Sequence, residues 1–594
     1  MNVSDVSFEN IQVTFSWMDY GLFLAMLSLS VLIGLYFGFC GHQDSADEYL
    51  LGGKKMSAIP IGVSLVASNI SGITLLGVPT DIYRFGITYY LYALMLIPVC
   101  ILTYYVYIPV FYKLQVVSAF EYLMLRFDRK IRLLSSGLYT VNTLLYLPIV
   151  VYIPALALAQ ATHISIHYIT PVVCGVCIVY TTMGGLKAVV WTDTLQFVVM
   201  IGSIIGVFYQ GVNVAGGIEN VWKRADESHR LDFDFDIDPT KRDTVLATSI
   251  GTLCMGFCYA SINQSFVQKF LSLPTKKDIK KSIILFYIGM LFIQTLVLGI
   301  GLVMYAKYYE CDPFTAGKIK KHDQVLPYYV MEVATLIPGL AGLFLSGILS
   351  AALSTLSACM NSLAASMYED FVSPFVPAST GQKTISNILK FMVVMIGLIS
   401  TLLVYVVEHM GSIVPINFAL SSITNGPLLG LFTMGMLFPV ANSKGAMYGT
   451  MLSIAIMTFI IGGSQIHQFK GNMEYPAKPV STIGCASNTT ITSPGSSHST
   501  GQTNEDDIFV LFKITHYYYT FAGAMITMGA GVIISYFTQS DTDSKVNPDA
   551  ISPIVHWMSE KCQRSTKYDK THEMQVKEAE ALMSQTQIVE KTNT

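Results

Sequence analysis

Twelve apolar stretches of this 594-residue chain run without a single Asp, Glu, Lys or Arg: 20–43, 56–80, 85–112, 133–186, 194–218, 244–268, 282–306, 333–368, 391–407, 410–443, 445–469 and 514–540. A bilayer's hydrocarbon core takes roughly 20 helical residues to cross. Backbone placed there has to satisfy its own hydrogen bonds, which leaves helices or closed barrels. Stretches this long are too long for barrel strands. They predict an all-α polytopic membrane protein. The 54-residue stretch 133–186 has room for two spans, with a bend near His163–His167, and about thirteen spans result.

Composition agrees. Hydrophobic residues make up 52% of the chain and charged residues 13%, against about a quarter charged in ordinary soluble domains. A net charge of −3 gives no handle on nucleic acid, so the expected partner surface is the lipid bilayer. The opening MNVSDVSFENIQVTFSWMDY lacks the basic region of a cleavable signal, which predicts that the first apolar segment is retained as a span. The pairs Cys174/Cys177 and Cys254/Cys258 fall inside apolar spans and read as small core residues rather than metal or redox pairs.

Lys and Arg concentrate in 111–132 and 268–282, whereas 218–243 is mostly acidic. The positive-inside rule then predicts an extracellular N-terminus (1–18), a membrane body (19–540), an extracellular loop (470–513) and a cytosolic tail (541–594). That tail is polar, with room for a short helix around 573–584. Asn488-Thr489-Thr490 is a glycosylation sequon in the outer loop. Cys311 and Cys485 lie in two different outer loops, where a disulfide is permitted; two unpaired cysteines suit the sequence equally.

Three spans break the apolar pattern. The second, SLVASNISGITLLG, carries Ser68, Asn69, Ser71 and Gly72; the seventh carries Ser261, Asn263, Gln264 and Ser265; the ninth is LSGILSAALSTLSACMNSLAAS. Close helix packing by small residues accounts for any one of them. On the ninth, however, Ser346, Ser350, Ser354, Ser357 and Asn361 fall within an arc of about 80° at 100° per residue. Packing has little need of so many hydroxyls. Spans two and seven are also five spans apart, the relation expected of inverted repeats that each open with an interrupted helix, here about 56–218 and 244–443. Hydroxyl and carbonyl oxygens without clustered carboxylates suit a weakly held monovalent cation.

At these residues the chain resembles the sodium/solute symporter family, over roughly 19–540. GGLKAVVWTDTLQ (184–196), GLFLSGILSAALSTLSACMNSLAAS (342–366) and the second span carry the resemblance, and GVPTDIYRFG (77–86) is most similar to the branch that carries monocarboxylates, vitamins and iodide. The resemblance implies a leucine-transporter-type five-plus-five fold with broken helices. It implies a sodium site from the carbonyls of Ala67, Ile70 and Ala351 and the hydroxyls of Ser354 and Thr355. A second sodium would lie at Asp193, Ser354 and Ser357, although Ala358 stands where another hydroxyl is expected and Asp193 reads as lying close to an interface. By position, Ser68, Asn69, Ser71 and Thr74, with Ser261 and Gln264, would border the solute.

The function this implies is import of a small organic solute with co-transported sodium at the plasma membrane, by alternating access, most in keeping with a monocarboxylate or vitamin-type anion. Sodium in excess of the anion would make the cycle electrogenic. Sugar, polyol or iodide transport, or a sodium-conducting sensor on the same fold, are the alternatives. H-E-x-x-H, G-x-S-x-G and P-loop motifs do not occur, so an enzyme is not expected.

Overall fold

In the computed structural model the described residues are 16–40, 45–162, 164–319, 321–334, 337–377, 379–408, 413–473, 475–485, 508–539, 547–559 and 561. Asn488 and the proposed tail helix at 573–584 lie outside them. The described residues are helical apart from connections and one isolated bridge, Asp234 to Thr244. This is the outcome expected where carbonyls and amides meet only lipid or protein.

Helix α1 (Trp17–Cys40) precedes a short α2 (Ala46–Leu51). Next come α3 (Ala58–Asn69) and α4 (Gly72–Phe85), one span interrupted in its middle; then α5 (Leu91–Leu102) and α6 (Ile108–Leu114), joined by a π turn at Thr103–Tyr107. A short α7 (Ala119–Arg126) leads into α8 (Arg129–Thr162) and α9 (Ile166–Val214). After α10 (Ile218–Glu227) the pattern recurs: α11 (Val245–Phe257), a π turn at Cys258–Ile262 and α12 (Gln264–Leu271) form a second interrupted span. It is followed by α13 (Lys276–Lys307), a short α14 (Val325–Ala334), α15 (Leu340–Met367), α16 (Gln382–Glu408) and α17 (Ile413–Leu437). Helices α18 (Ser443–Phe469) and α19 (Tyr517–Phe537) complete the bundle. Both halves thus run broken span, long span, short helix, long span. With each crossing reversing direction, spans five apart run antiparallel, which makes the repeats inverted.

Among the described residues ten helical segments are long and apolar enough to span a membrane, with α5 and α6 counting as one through their π turn and α11 extended by its own. At 49 residues, α9 is more than twice a bilayer crossing, and it bends at Gly185, whose φ of 52° and ψ of −150° suit only glycine. Dividing it there, and adding the interrupted α3–α4 span and α17, gives the thirteen expected. The boundary differs from the sequence reading, which opened a new span at 194. The helix instead runs on through Lys187, paired with Glu48 at 2.5 Å, and through Asp193.

Helix α15 forms the centre. Across its most apolar window 89% of residues are buried, against 22% for α1, so its hydroxyls meet protein on every side. Several of them pack: Ser362 bonds Tyr139, and Ser366 bonds Ser136 and Asp370. Gly347 faces α9 so closely that any side chain there would collide with Ser203. Away from the core, a disulfide joins Cys311 to Cys485, with Cα atoms 5.1 Å apart. It holds segment 475–485 across one end of the bundle, where Lys478 N–H donates to the Arg84 carbonyl at 2.8 Å and Gly484 N–H to that of Glu310 at 2.9 Å.

Candidate cation and solute site

The break between α3 and α4 is two residues of extended backbone, Ile70 (φ −96°, ψ 114°) and Ser71 (φ −102°, ψ 170°). The last α3 carbonyl with a backbone partner is that of Val66, which accepts from Ile70 N–H at 3.2 Å. The carbonyls of Ala67, Ser68, Asn69 and Ile70 are thereby released from helical bonding, as at any helix end. The Thr355 hydroxyl on α15 lies among them. Its oxygen is 3.3 Å from the carbonyl oxygens of Ser68 and Ile70 and 3.0 Å from that of Ala351. Of the five expected sodium ligands, Ile70, Ala351 and Thr355 converge directly. Ser68's carbonyl joins them, a position the sequence reading assigned to solute alone.

Ser354 turns elsewhere. It donates to Asp193 Oδ1 at 2.7 Å, while Ser357 donates to the Ser354 carbonyl at 3.1 Å and does not reach the carboxylate. Asp193 is fully buried in protein. Its other oxygen accepts from Ser64 at 2.5 Å and from the Lys269 ammonium at 3.2 Å. Lys269, 1% exposed, also donates to the Ser64 carbonyl at 3.2 Å and to Ser68 Oγ at 2.8 Å. This lysine was missed because it directly follows the charge-free stretch 244–268 and reads as the first cation of a basic loop. Helix α12 instead continues to Leu271 and carries it into the core.

Above this cluster lies a cavity of about 570 Å³, bordered by Ser68, Asn69, Ser71, Thr74 and Thr355. Asn69 is held by Tyr92 at 3.3 Å. Ser261 and Gln264 do not border the cavity. Ser261 bonds Thr103 at 2.6 Å, and Gln264 caps the entry to α7 by accepting from Ala119 N–H at 2.6 Å. The second break supplies Asn263 and Ser265 instead, with Asn263 capping α12 through Ser265 N–H. Towards segment 475–485 the cavity reaches Arg84 and Arg242; Arg242 pairs with Asp81 and lies over the Phe85 ring at 3.8 Å. The opposite end of the bundle is latched by Arg132 to Asp370 at 2.5 Å and by Arg126 to the Gly435 carbonyl at 2.8 Å.

The sequence model of the Sodium:solute symporter family matches residues 49–453. The chain belongs to the sodium:solute symporter family. It is 36% identical over 545 residues to sodium-coupled monocarboxylate transporter 2 of Bos taurus, covering 91% of this chain and 87% of that protein. It is 32% identical over 559 residues to the human sodium/iodide cotransporter, covering 90% and 86%. A sodium-coupled sialic acid symporter solved in a substrate-bound outward-open state shares the fold, with a TM-score of 0.73 at 23% identity, over 88% of this chain and 98% of that one. As a sodium:solute symporter, the chain is a multi-pass transporter rather than an enzyme, and sodium is its co-transported ion.

Proposed function

We propose that this symporter imports a small monocarboxylate anion with sodium across the plasma membrane, with its N-terminus and the 470–513 loop outside and its C-terminal tail in the cytosol. The observation that carries the cation half is the convergence of the Ser68, Ile70 and Ala351 carbonyls on the Thr355 hydroxyl at the floor of the cavity. Sodium there would replace the weak hydroxyl–carbonyl bonds, draw the unwound stretch onto α15 and fix Ser68, Asn69, Ser71 and Thr74 in place for solute.

Several features favour an anion. The first turn of α4 begins at the cavity wall, and a helix N-terminus carries partial positive charge. Arg84 and Arg242 border the outer reach against one carboxylate, Asp81. The sodium-coupled monocarboxylate transporters among the relatives point to the same solute class. The test is uptake of L-lactate by purified protein in proteoliposomes, with and without a sodium gradient, beside iodide, biotin, pantothenate, glucose and inositol. Sodium-dependent lactate accumulation is expected. Accumulation of iodide alone would transfer the reading to the branch of the iodide cotransporter, and sodium current without accumulation of any solute would end the symporter assignment.

The outer reach also predicts a pH response. Burial pushes the Asp243 carboxyl up to about 6, against the pull of Arg242 and with the Asp81 charge adding to it. His516 nearby is held down at about 3 by burial and Arg242, and His322 at about 4 by burial and Arg84, so neither titrates in the same range. As pH falls through about 6, Asp243 loses its negative charge and the mouth becomes more positive. The KM for lactate is expected to fall a few-fold between pH 7.5 and 5.5, the scale of about 1 kcal/mol for one partly solvated charge. Asp243→Asn is expected to hold the low value across that range; a retained pH step in that variant would move the titration elsewhere.

A further inference from the structure

We infer that Lys269 is a tethered second cation: its ammonium occupies the position at Asp193 that a second sodium would need, so that a single sodium travels in each cycle. The inference rests on the sodium-symporter reading and narrows it. The three acceptors around Lys269 Nζ, namely the Ser64 carbonyl, Ser68 Oγ and Asp193 Oδ2 at 3.2, 2.8 and 3.2 Å, match the three hydrogens of a lysine ammonium and leave none unmade. The carboxylate is equally committed, with Ser64 and Lys269 on one oxygen and Ser354 on the other. Both side chains are withdrawn from solvent, at 1% and 0% exposure. Inserting sodium at Asp193 while Lys269 stays would set two unit positive charges against one buried negative one. The hydroxyls around such an ion are few: Ser354 is already bonded to the carboxylate, and residue 358 is alanine.

The placement also says what the lysine does instead. It leaves α12, the inner half of the second broken span, and bonds the last turns of α3, the inner half of the first. Asp193 ties both to α9, and through Ser354 to α15. A permanent charge therefore joins the two interrupted helices beneath the ion that comes and goes. With a monovalent carboxylate, one sodium per cycle makes transport electroneutral, since the excess of sodium that would make it electrogenic is then missing.

The test needs no organic solute for its first arm. Equilibrium binding of radioactive sodium to the purified unaltered protein is expected to saturate at about one ion per chain, with Lys269 already filling the anionic position. Lys269→Met, which frees Asp193, Ser64 and Ser68, is expected to bind about twice as much sodium and to show a steeper sodium dependence. The double variant Lys269→Met/Asp193→Asn is expected to return to about one. Should Lys269→Met not yield folded protein, Lys269→Arg, which keeps a cation, is expected to match the unaltered protein. A second arm follows sodium and L-lactate fluxes in proteoliposomes, expected at equal rates and without current. Two sodium ions bound by the unaltered protein, or current accompanying lactate entry, would overturn the inference and leave the symporter reading intact. No saturable sodium binding at all would overturn both.

Discussion

Replacing Thr355 with alanine is expected to raise the sodium concentration for half-maximal uptake by ten- to a hundredfold, with the amount of protein at the cell surface unchanged. The threonine oxygen is the one side-chain ligand at a meeting point otherwise built from the carbonyls of Ser68, Ile70 and Ala351. A bond to a charged partner is worth about 1.5–3 kcal/mol, and each 1.4 kcal/mol is about tenfold in affinity. The folded protein loses little by the change. Two of the hydroxyl's three contacts are only 3.3 Å long, and the third is to its own helix. Thr355→Ser keeps the oxygen and is expected to keep the sodium affinity within a few-fold. Uptake measured against sodium concentration, with choline holding ionic strength constant, reads both variants. Unchanged sodium activation in Thr355→Ala would remove this residue from the site.

The second large effect is on stability. Asp193→Ala leaves Lys269 buried without its counter-charge, an arrangement that costs about 3–5 kcal/mol when one partner of a buried pair is removed. Loss of most of the monodisperse protein after detergent extraction is expected. Adding Lys269→Met to that variant removes the stranded charge, and recovery of much of the yield is expected, because no buried charge is then left without its partner. The two single variants also differ in a way that yield alone would not reveal. Sodium has an anionic seat to fill in Lys269→Met and none in Asp193→Ala. Sodium chloride over choline chloride is therefore expected to stabilise the first by more than the second, which keeps only the site at Thr355. Equal stabilisation of the two by sodium would argue that Asp193, once freed of Lys269, does not seat an ion.

Much of this architecture can be read from residues alone because lipid forbids so much. Runs free of charge have to be helices, and Ser68, Asn69, Ser71 and Gly72 in the middle of one of them advertise a break; that break is at Ile70 and Ser71. The five-span offset led to a second break, but not to its register. Counting polar residues pointed to Ser261 and Gln264, whereas the π turn at Cys258–Ile262 rotates the chain so that Asn263 and Ser265 face the cavity. A π turn inserts a residue without any compositional mark. Lys269 escaped for a related reason. In a list of charges it belongs to the basic loop that follows, and only the continuation of α12 to Leu271 shows that it points inward. Asp193 posed the mirror problem, a carboxylate between two apolar runs that looks marginal until its partner is known. The bend at Gly185 likewise needed a backbone angle rather than a residue type to locate it.

The close seating of α15 has a mechanical consequence. Gly347 presses against Ser203, and the Tyr180 hydroxyl donates to the Leu353 carbonyl at 3.0 Å, two residues before Thr355. One jaw of the ion's grip is therefore clamped to α9 on both sides of its Gly185 bend, while the other, the carbonyls of Ala67 to Ile70 at the break, lacks the helical bonds that would stiffen it. An ion caught between a hard jaw and a soft one spends its binding energy on moving the soft one. The direction of that movement is set before the ion arrives, by whichever wall cannot yield.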